Sequence, residues 1–227
     1  MNIEPIAKIV TDFDSKFGIP RQSGIVKNLS GTVIFEKKYR NPDAIRGIEG
    51  FSHLWLIWGF SENADKEYSP TVRPPKLGGN ERMGVFATRS PFRPNHLGLS
   101  SVKLEKVEFT EKHGYVLRVS GADMVNGTPI YDIKPYLAFT DSIPDAIGGF
   151  ADEVKDYTLE IVLDKELLCD FPSEKIDTLT GILAEDPRPS YIEDENRVYG
   201  FPFAGFEIKF KVKGKVLTVI SVEKRNL

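Results

Sequence analysis

The chain has 227 residues, 41% hydrophobic and 28% charged, the composition of a soluble globular protein. A formal charge of −3 excludes a generally basic nucleic-acid coat, so any anionic partner has to be met by a local patch. The one cysteine, Cys169, excludes an internal disulfide and a Cys-based zinc site, and reads as a small buried apolar residue.

The opening MNIEPIAKIV lacks the charged and apolar regions of a signal peptide, and no later run approaches the roughly 20 apolar residues that span a bilayer. A cytoplasmic location is expected. Ile3–Val10 and Gly31–Glu36 are short β-prone runs, and one or two helical turns fit near Asp43–Ile48. Phe51–Phe60 (FSHLWLIWGF) is almost continuously apolar, which predicts a strand buried on both faces. Met83–Thr88 is another short strand. In Val102–Phe109 the alternation changes phase, which predicts a bulge near Lys106. Tyr115, Leu117 and Val119 alternate cleanly. Many short strands and few helices argue for a β-barrel or a strongly curled sheet over residues 1–140.

Residues 141–152 (DSIPDAIGGFAD) carry Pro, Gly and acids without periodicity and read as a linker. A small α+β unit is expected over 153–227. It comprises a strand at Tyr157–Leu163 and a helix N-capped by Ser173 with Ile176, Leu179, Ile182 and Leu183 on one face. A strand with Ile208, Phe210 and Val212 on one side and a last strand at Val216–Val222 complete it.

The chemistry concentrates in RPPKLGGNERMGVFATRSPFRPN. From Arg73 to His96 it holds Arg73, Lys76, Arg82, Arg89 and Arg93 against Glu81 alone, a local excess of four positive charges. Pro74, Pro75, Pro91 and Pro94 stiffen the segment, and Gly78-Gly79 lets backbone N–H groups approach an anion. Guanidinium forks held this way suit phosphate or carboxylate oxygens. Neither GxxxxGK[ST] nor GxGxxG is present, so Walker-type and Rossmann readings have no support. His53, His96 and His113 are dispersed and read as packing or surface residues, and no metal site is expected. Three further stretches share this character: KFGIPRQSG (Lys16–Gly24), NGTPIYDIKPY (Asn126–Tyr136) and EDPRPSY (Glu185–Tyr191). In the second, Asp132 and Lys134 fall on one face of an extended chain, as a structural pair or as an anchor or base. In the third, Arg188 beside Tyr191 suits RNA, a cation for phosphate and a ring for an unpaired base.

Those stretches, with GIEGFSHLWLI, resemble the TsaA-like or TrmO-type family along nearly the whole chain. The resemblance implies S-adenosylmethionine-dependent N6-methylation of threonylcarbamoyl-adenosine next to the anticodon of tRNA. It also implies a single-sheeted β-barrel methyltransferase domain, a small C-terminal domain, and a homodimer with the cofactor near the interface. Carried over by motif, cofactor contacts fall at Gln22, Ser23, Gly24, Phe60, Ser61, Arg89, Leu99, Tyr131, Asp132, Ile133 and Lys134. Asp132 is the candidate base or cofactor anchor. Arg73, Arg82 and Arg93, with Asp186, Arg188 and Tyr191 of DPRPSY, are expected to meet tRNA. Two positions depart from the family pattern: Phe60-Ser61 replaces Phe-His, and Pro94-Asn95-His96-Leu97-Gly98 replaces Pro-Asn-Pro-Ile-Gly. The alternatives are a non-enzymatic cofactor-binding RNA or regulatory module, and a methyltransferase acting on another small substrate.

Overall fold

The computed structural model describes residues 2–77, 81–188 and 194–225. Alternating apolar residues build its first half. Strands β1 (Ala7–Thr11), β2 (Ser30–Phe35), β3 (His53–Gly59), β6 (Leu97–Thr110), β7 (Gly114–Ser120) and β8 (Pro129–Pro135) follow in chain order, with β4 (Thr71–Val72) and β5 (Met83–Gly84) between β3 and β6. The six longer strands bond in the order β1-β2-β7-β6-β3-β8, and β8 returns to β1 through Ala7–Ile130 and Lys8–Pro129, closing a barrel. Ile9, Val33, Leu54, Leu56, Val102, Leu117, Val119 and Ile130 fill it. Strands β4 and β5 form a separate small hairpin.

The bulge predicted near Lys106 is present: pairing with β7 slips between Leu104 and Lys106. Other expectations need correction. Strand β3 buries Leu54, Leu56, Trp58 and Gly59, and leaves His53, Trp55 and Ile57 partly exposed. A barrel wall without an outer helical layer has one dry face, so the apolar run overstated burial. The strand predicted at Met83–Thr88 stops at Gly84. A 3₁₀ turn over Val85–Ala87 follows, closed by Thr88, whose N–H and hydroxyl both donate to the Val85 carbonyl. The turns near Asp43–Ile48 are two 3₁₀ pieces, Pro42–Ile45 and Ile48–Gly50. The expected linker carries order at both ends, in helices α1 (Ala138–Asp141) and α2 (Phe150–Glu153).

The C-terminal body is a sheet ordered β10 (Tyr199–Phe203), β11 (Phe206–Lys213), β12 (Val216–Lys224) and β9 (Glu160–Val162), with β9 parallel to β12. Helix α3 (Ile176–Ala184) packs Leu179, Ile182 and Leu183 into the core that holds Phe201, Phe203, Phe210 and Leu217. The predicted Ser173 cap is absent. A 3₁₀ turn over Ser173–Lys175, with Lys175 N–H donating to the Pro172 carbonyl, leads into the helix. Cys169 is exposed, contrary to the apolar reading, because the turn before it sends Leu167 and Leu168 against the core instead.

The two bodies share a segment. Phe13, Val26 and Leu29, from the long connection between β1 and β2, belong to the C-terminal core. Asp12 pairs with Lys175, and Asp14 Oδ2 accepts from Arg225 Nη1 at 2.7 Å. The motif KFGIPRQSG therefore lies in a loop clamped between barrel and C-terminal sheet.

Candidate functional site

The residues singled out by sequence gather along the β6–β3–β8 wall and the barrel mouth above it. Register explains the wall. Ile57 pairs with Leu99 on one side and Asp132 on the other, and Trp55 pairs with Ser101 and Lys134. Registered neighbours share a face, so Leu99, Ile57 and Asp132 form one outer row and Ser101, Trp55 and Lys134 the next. The β3–β8 pairing slips between Ile57 and Trp58, which leaves Tyr131 as an extra residue on β8. That slip lets both Ile130 and Ile133 pack on the core while Asp132 and Lys134 point outward.

Leu99 is 55% exposed, a large apolar side chain left out on the wall. Asp132 Oδ2 lies 3.1 Å from Lys134 Nζ, and Asp132 Oδ1 accepts from the Ile133 N–H at 2.9 Å. Both side chains of that pair reach solvent. Tyr131 lies over Gly59, where an added Cβ would stand 2.8 Å from its ring. Phe60 tilts against Trp58 at 4.4 Å between ring centroids, and its N–H donates to the His96 carbonyl. Ser61 opens a 3₁₀ turn and is exposed. His96 adopts a positive φ of 47°, with its Nδ1 2.7 Å from the Pro91 carbonyl. A proline could not adopt this positive φ, so the backbone here departs from the one that the family's proline would impose, and the imidazole holds it.

At the mouth, Gly24 N–H donates to the Gly121 carbonyl at 3.0 Å, and Arg89 Nη1 donates to Gln22 Oε1. Beneath that loop lies Asp123, which sequence reasoning missed. Its Oδ1 accepts from Ser100 Oγ at 2.7 Å, and Ser100 Oγ in turn accepts from Trp58 Nε1 at 2.9 Å. Burial pushes the Asp123 carboxyl above the usual aspartate range. The Ser100 hydroxyl, its own and Ser23's backbone N–H, and the Arg89 charge oppose that rise. Asp123 sits in GADMV, which has no motif character. Its one signal is a lone acid in an apolar stretch five residues before the start of TPIYD.

The expected RNA-facing residues fare differently. Arg73 is exposed, Arg82 Nη1 donates to Thr71 Oγ1 at 2.9 Å, and Arg93 Nη1 reaches back to the Thr88 carbonyl at 3.4 Å. Gly78, Gly79 and Tyr191 lie outside the described residues. Arg188 is not splayed toward solvent. Its Nε and Nη2 grip the two Asp186 oxygens at 2.8 Å each, both side chains being largely buried at 15% and 13% exposure. A positive φ of 51° at Asp186 turns the chain so that acid and cation, two residues apart, can meet. Tyr157 OH also donates to Asp186, and Arg21 Nη2 donates to the Arg188 carbonyl at 3.2 Å. A cavity of about 220 Å³ separates Lys16–Arg21 from the helix exit at Glu185–Arg188. Among the described residues no acid, histidine or cysteine cluster could hold a metal ion, and no helix is long and apolar enough to cross a membrane.

Fold and sequence define the class together, that of tRNA methyltransferases. Residues 8–142 match the family described as the tRNA-methyltransferase O N-terminal domain, and residues 170–225 match the TrmO C-terminal domain. The chain belongs to the TrmO family. It is 39% identical to the tRNA (adenine(37)-N6)-methyltransferase of Escherichia coli (strain K12) across 98% of its own length and 97% of that protein. The human protein of the same name is 40% identical over 66% of this chain and 33% of its own length. A crystal structure of TrmO from Pseudomonas aeruginosa superposes with a TM-score of 0.76 at 28% identity, covering 98% of both chains.

Proposed function

We propose that this chain methylates N6 of the adenosine beside the anticodon of tRNA, taking the methyl group from S-adenosylmethionine, and that its substrate is threonylcarbamoyl-adenosine. The observation that carries the reading is the convergence of KFGIPRQSG, Arg89 and the β6–β3–β8 wall on one region of the barrel. The residues present fit the cofactor. Leu99 and Ile57 offer exposed apolar surface, Asp132 an accessible carboxylate, and Gly24 an open backbone where an added Cβ would meet nothing within 4 Å. When bound, S-adenosylmethionine supplies a methyl group already activated on a sulfonium.

The chain's own task is then positioning and charge. Gln22-Ser23-Gly24, Phe60, Ser61 and the Tyr131–Lys134 run hold the donor, with Arg89 as a cation beside them. An acceptor N6 that gains a methyl group would have one proton to lose. Asp132 is the group on the wall suited to receive it. Arg73, Arg82 and Arg93 meet tRNA phosphates or the threonyl carboxylate. The Asp186–Arg188 fork fixes the Asp-Pro-Arg start of DPRPSY, and Tyr191 is the expected stacking ring. A homodimer covering the exposed Leu99 wall completes the reading, and the cytoplasm is its expected location.

Asp132→Asn keeps shape and removes basicity. It is expected to bind S-adenosylmethionine within about threefold of wild type yet lose at least about 100-fold in methyl transfer, as a general base requires. Calorimetry and a transfer assay measure the two. Normal turnover removes the base role, and loss of binding makes Asp132 an anchor. For the activity itself, tRNA nucleosides from a host lacking the protein should show the methyl group gone from threonylcarbamoyl-adenosine. An unchanged nucleoside profile overturns the proposal.

A further inference from the structure

The basic segment between β3 and β6 presents an aromatic ring that the site described above does not use. Phe86 is 72% exposed and belongs to neither hydrophobic core. It is not a stray ring, since Tyr68 and Phe92 of the same small unit are exposed as well. Backbone bonds tie the three segments that carry them: Ser69 N–H donates to the Phe92 carbonyl at 3.1 Å, and Val85 N–H to the Pro70 carbonyl at 3.0 Å. Val85 is buried, and its own carbonyl takes two bonds from Thr88, which closes the 3₁₀ turn with Phe86 at its centre. One neighbour is thus anchored in the protein while the ring stands out from it.

Cations are held at both ends of that turn. Gly84, just before it, pairs with Thr71, whose hydroxyl accepts from Arg82 Nη1 at 2.9 Å. Thr88, just after it, accepts from Arg93 Nη1 at its carbonyl. The next residue, Arg89, bonds Gln22 of the clamped loop, so the ring stands three residues from a side chain that reaches the proposed cofactor site. From Arg73 to His96 the segment carries an excess of four positive charges in a chain of net charge −3. That balance suits a polyanion, and an exposed ring among fixed guanidinium groups suits single-stranded RNA, with phosphate on the cations and an unpaired base on the ring. The proposed reaction creates such a base. To offer N6, the acceptor has to leave the stack of its loop, which uncovers one face of its neighbour.

We propose that Phe86 positions the substrate by stacking on the nucleotide next to the one methylated, in place of the partner lost when the acceptor base turns out. The proposal rests on tRNA being the substrate, and it names the contact that keeps the loop open.

Affinity for an anticodon stem-loop, together with steady-state methyl transfer, tests it in Phe86→Ala, Phe86→Leu and Phe86→Trp. The alanine and leucine variants are expected to bind the stem-loop about 10- to 100-fold more weakly and to raise KM for tRNA alike. Binding of S-adenosylmethionine and the salt slope of RNA binding stay unchanged, since stacking releases no counterions. Phe86→Trp, which keeps a flat ring, stays within about threefold of wild type. Removing the base on one side of the acceptor should cost wild type as much as the alanine substitution does, and cost Phe86→Ala nothing further. Leucine serving as well as phenylalanine, or additive losses from the missing base and the missing ring, overturns the proposal. So does weaker S-adenosylmethionine binding in Phe86→Ala, or an altered monomer–dimer ratio in sedimentation, which would give the ring to the cofactor or to a second copy of the chain. A wild-type protein that does not bind the stem-loop sinks the tRNA reading together with this contact. One that binds it equally well with and without the ring loses this contact alone.

Discussion

Replacing Asp123 by alanine is expected to lower both stability and methyl transfer. Ser100 is 1% exposed and its hydroxyl already accepts from Trp58, so its own proton needs the Asp123 oxygen. Without that acceptor a buried donor is orphaned, at about 1–3 kcal/mol, and the Ser23 N–H loses a partner as well. A total near 2–3 kcal/mol corresponds to a Tm lower by roughly 4–12 °C in a chain of this size. The loop that carries Gln22-Ser23-Gly24 would shift with it. A misplacement of about 1 Å in the proposed cofactor wall costs on the order of 100-fold in kcat/KM. Asp123→Asn separates the two effects, because the amide oxygen still accepts from Ser100 while the charge facing Arg89 is gone. It should retain the Tm and raise KM for S-adenosylmethionine.

The same pair of proteins gives a pH test. The folded carboxyl of Asp123 titrates above its unfolded value. Its contribution is therefore fully present below the unfolded value, near 3.9, and is lost as pH rises through the raised folded value. Other acids titrate across that range, so the quantity to measure is the difference between wild type and Asp123→Asn in denaturant unfolding at each pH. That difference should move against wild type as pH rises. A difference flat with pH would mean that Asp123 is not desolvated in the folded chain.

Gly18→Ala is expected to be strongly damaging, because strain and a clash coincide there. Gly18 has φ +90°, and a Cβ there would sit 2.3–2.8 Å from atoms of the Phe201 ring. Phe201 is fully buried and edge-on to Phe210, so it has no room to retreat. Left-handed strain of about 1–2 kcal/mol adds to overpacking of about 1–3 kcal/mol. The consequence extends beyond stability, because Gly18 lies in the loop clamped between the two bodies. Pushing that loop off the C-terminal sheet moves Arg21, which bonds the Arg188 carbonyl, and Gln22, which bonds Arg89. Gly205→Ala is the control. It has φ +81° but nothing within 4 Å of the added Cβ, so it carries the strain alone. Melting curves of the two should differ by the clash; equal losses would show that Phe201 yields.

Much of this architecture is readable in the sequence because barrel strands alternate. The phase change near Lys106 and the shared face of Asp132 and Lys134 follow from a period of two residues. What stayed hidden depends on partners distant in sequence. Nothing in FSHLWLIWGF says that its outer face lacks a covering layer. Nothing in KFGIPRQSG says that Phe13 and Val26, on either side of it, belong to the core of the C-terminal sheet. Arg188 looked available because the reversal at Asp186, a non-glycine residue at positive φ, has no local signature. Asp123 was invisible because its importance lies in what surrounds it: Ser100 from β6, Trp58 from β3 and Ser23 from the clamped loop.

The central claim is a methyl transfer to one modified nucleotide, and mass spectrometry of the product tests it most directly. Purified protein is incubated with S-adenosylmethionine and two versions of the same tRNA, one carrying threonylcarbamoyl-adenosine beside the anticodon and one carrying plain adenosine. Nucleoside digests should show a single added methyl group, on the base of threonylcarbamoyl-adenosine, in the first tRNA and none in the second. No methyl on either tRNA, or equal methylation of plain adenosine, would contradict it.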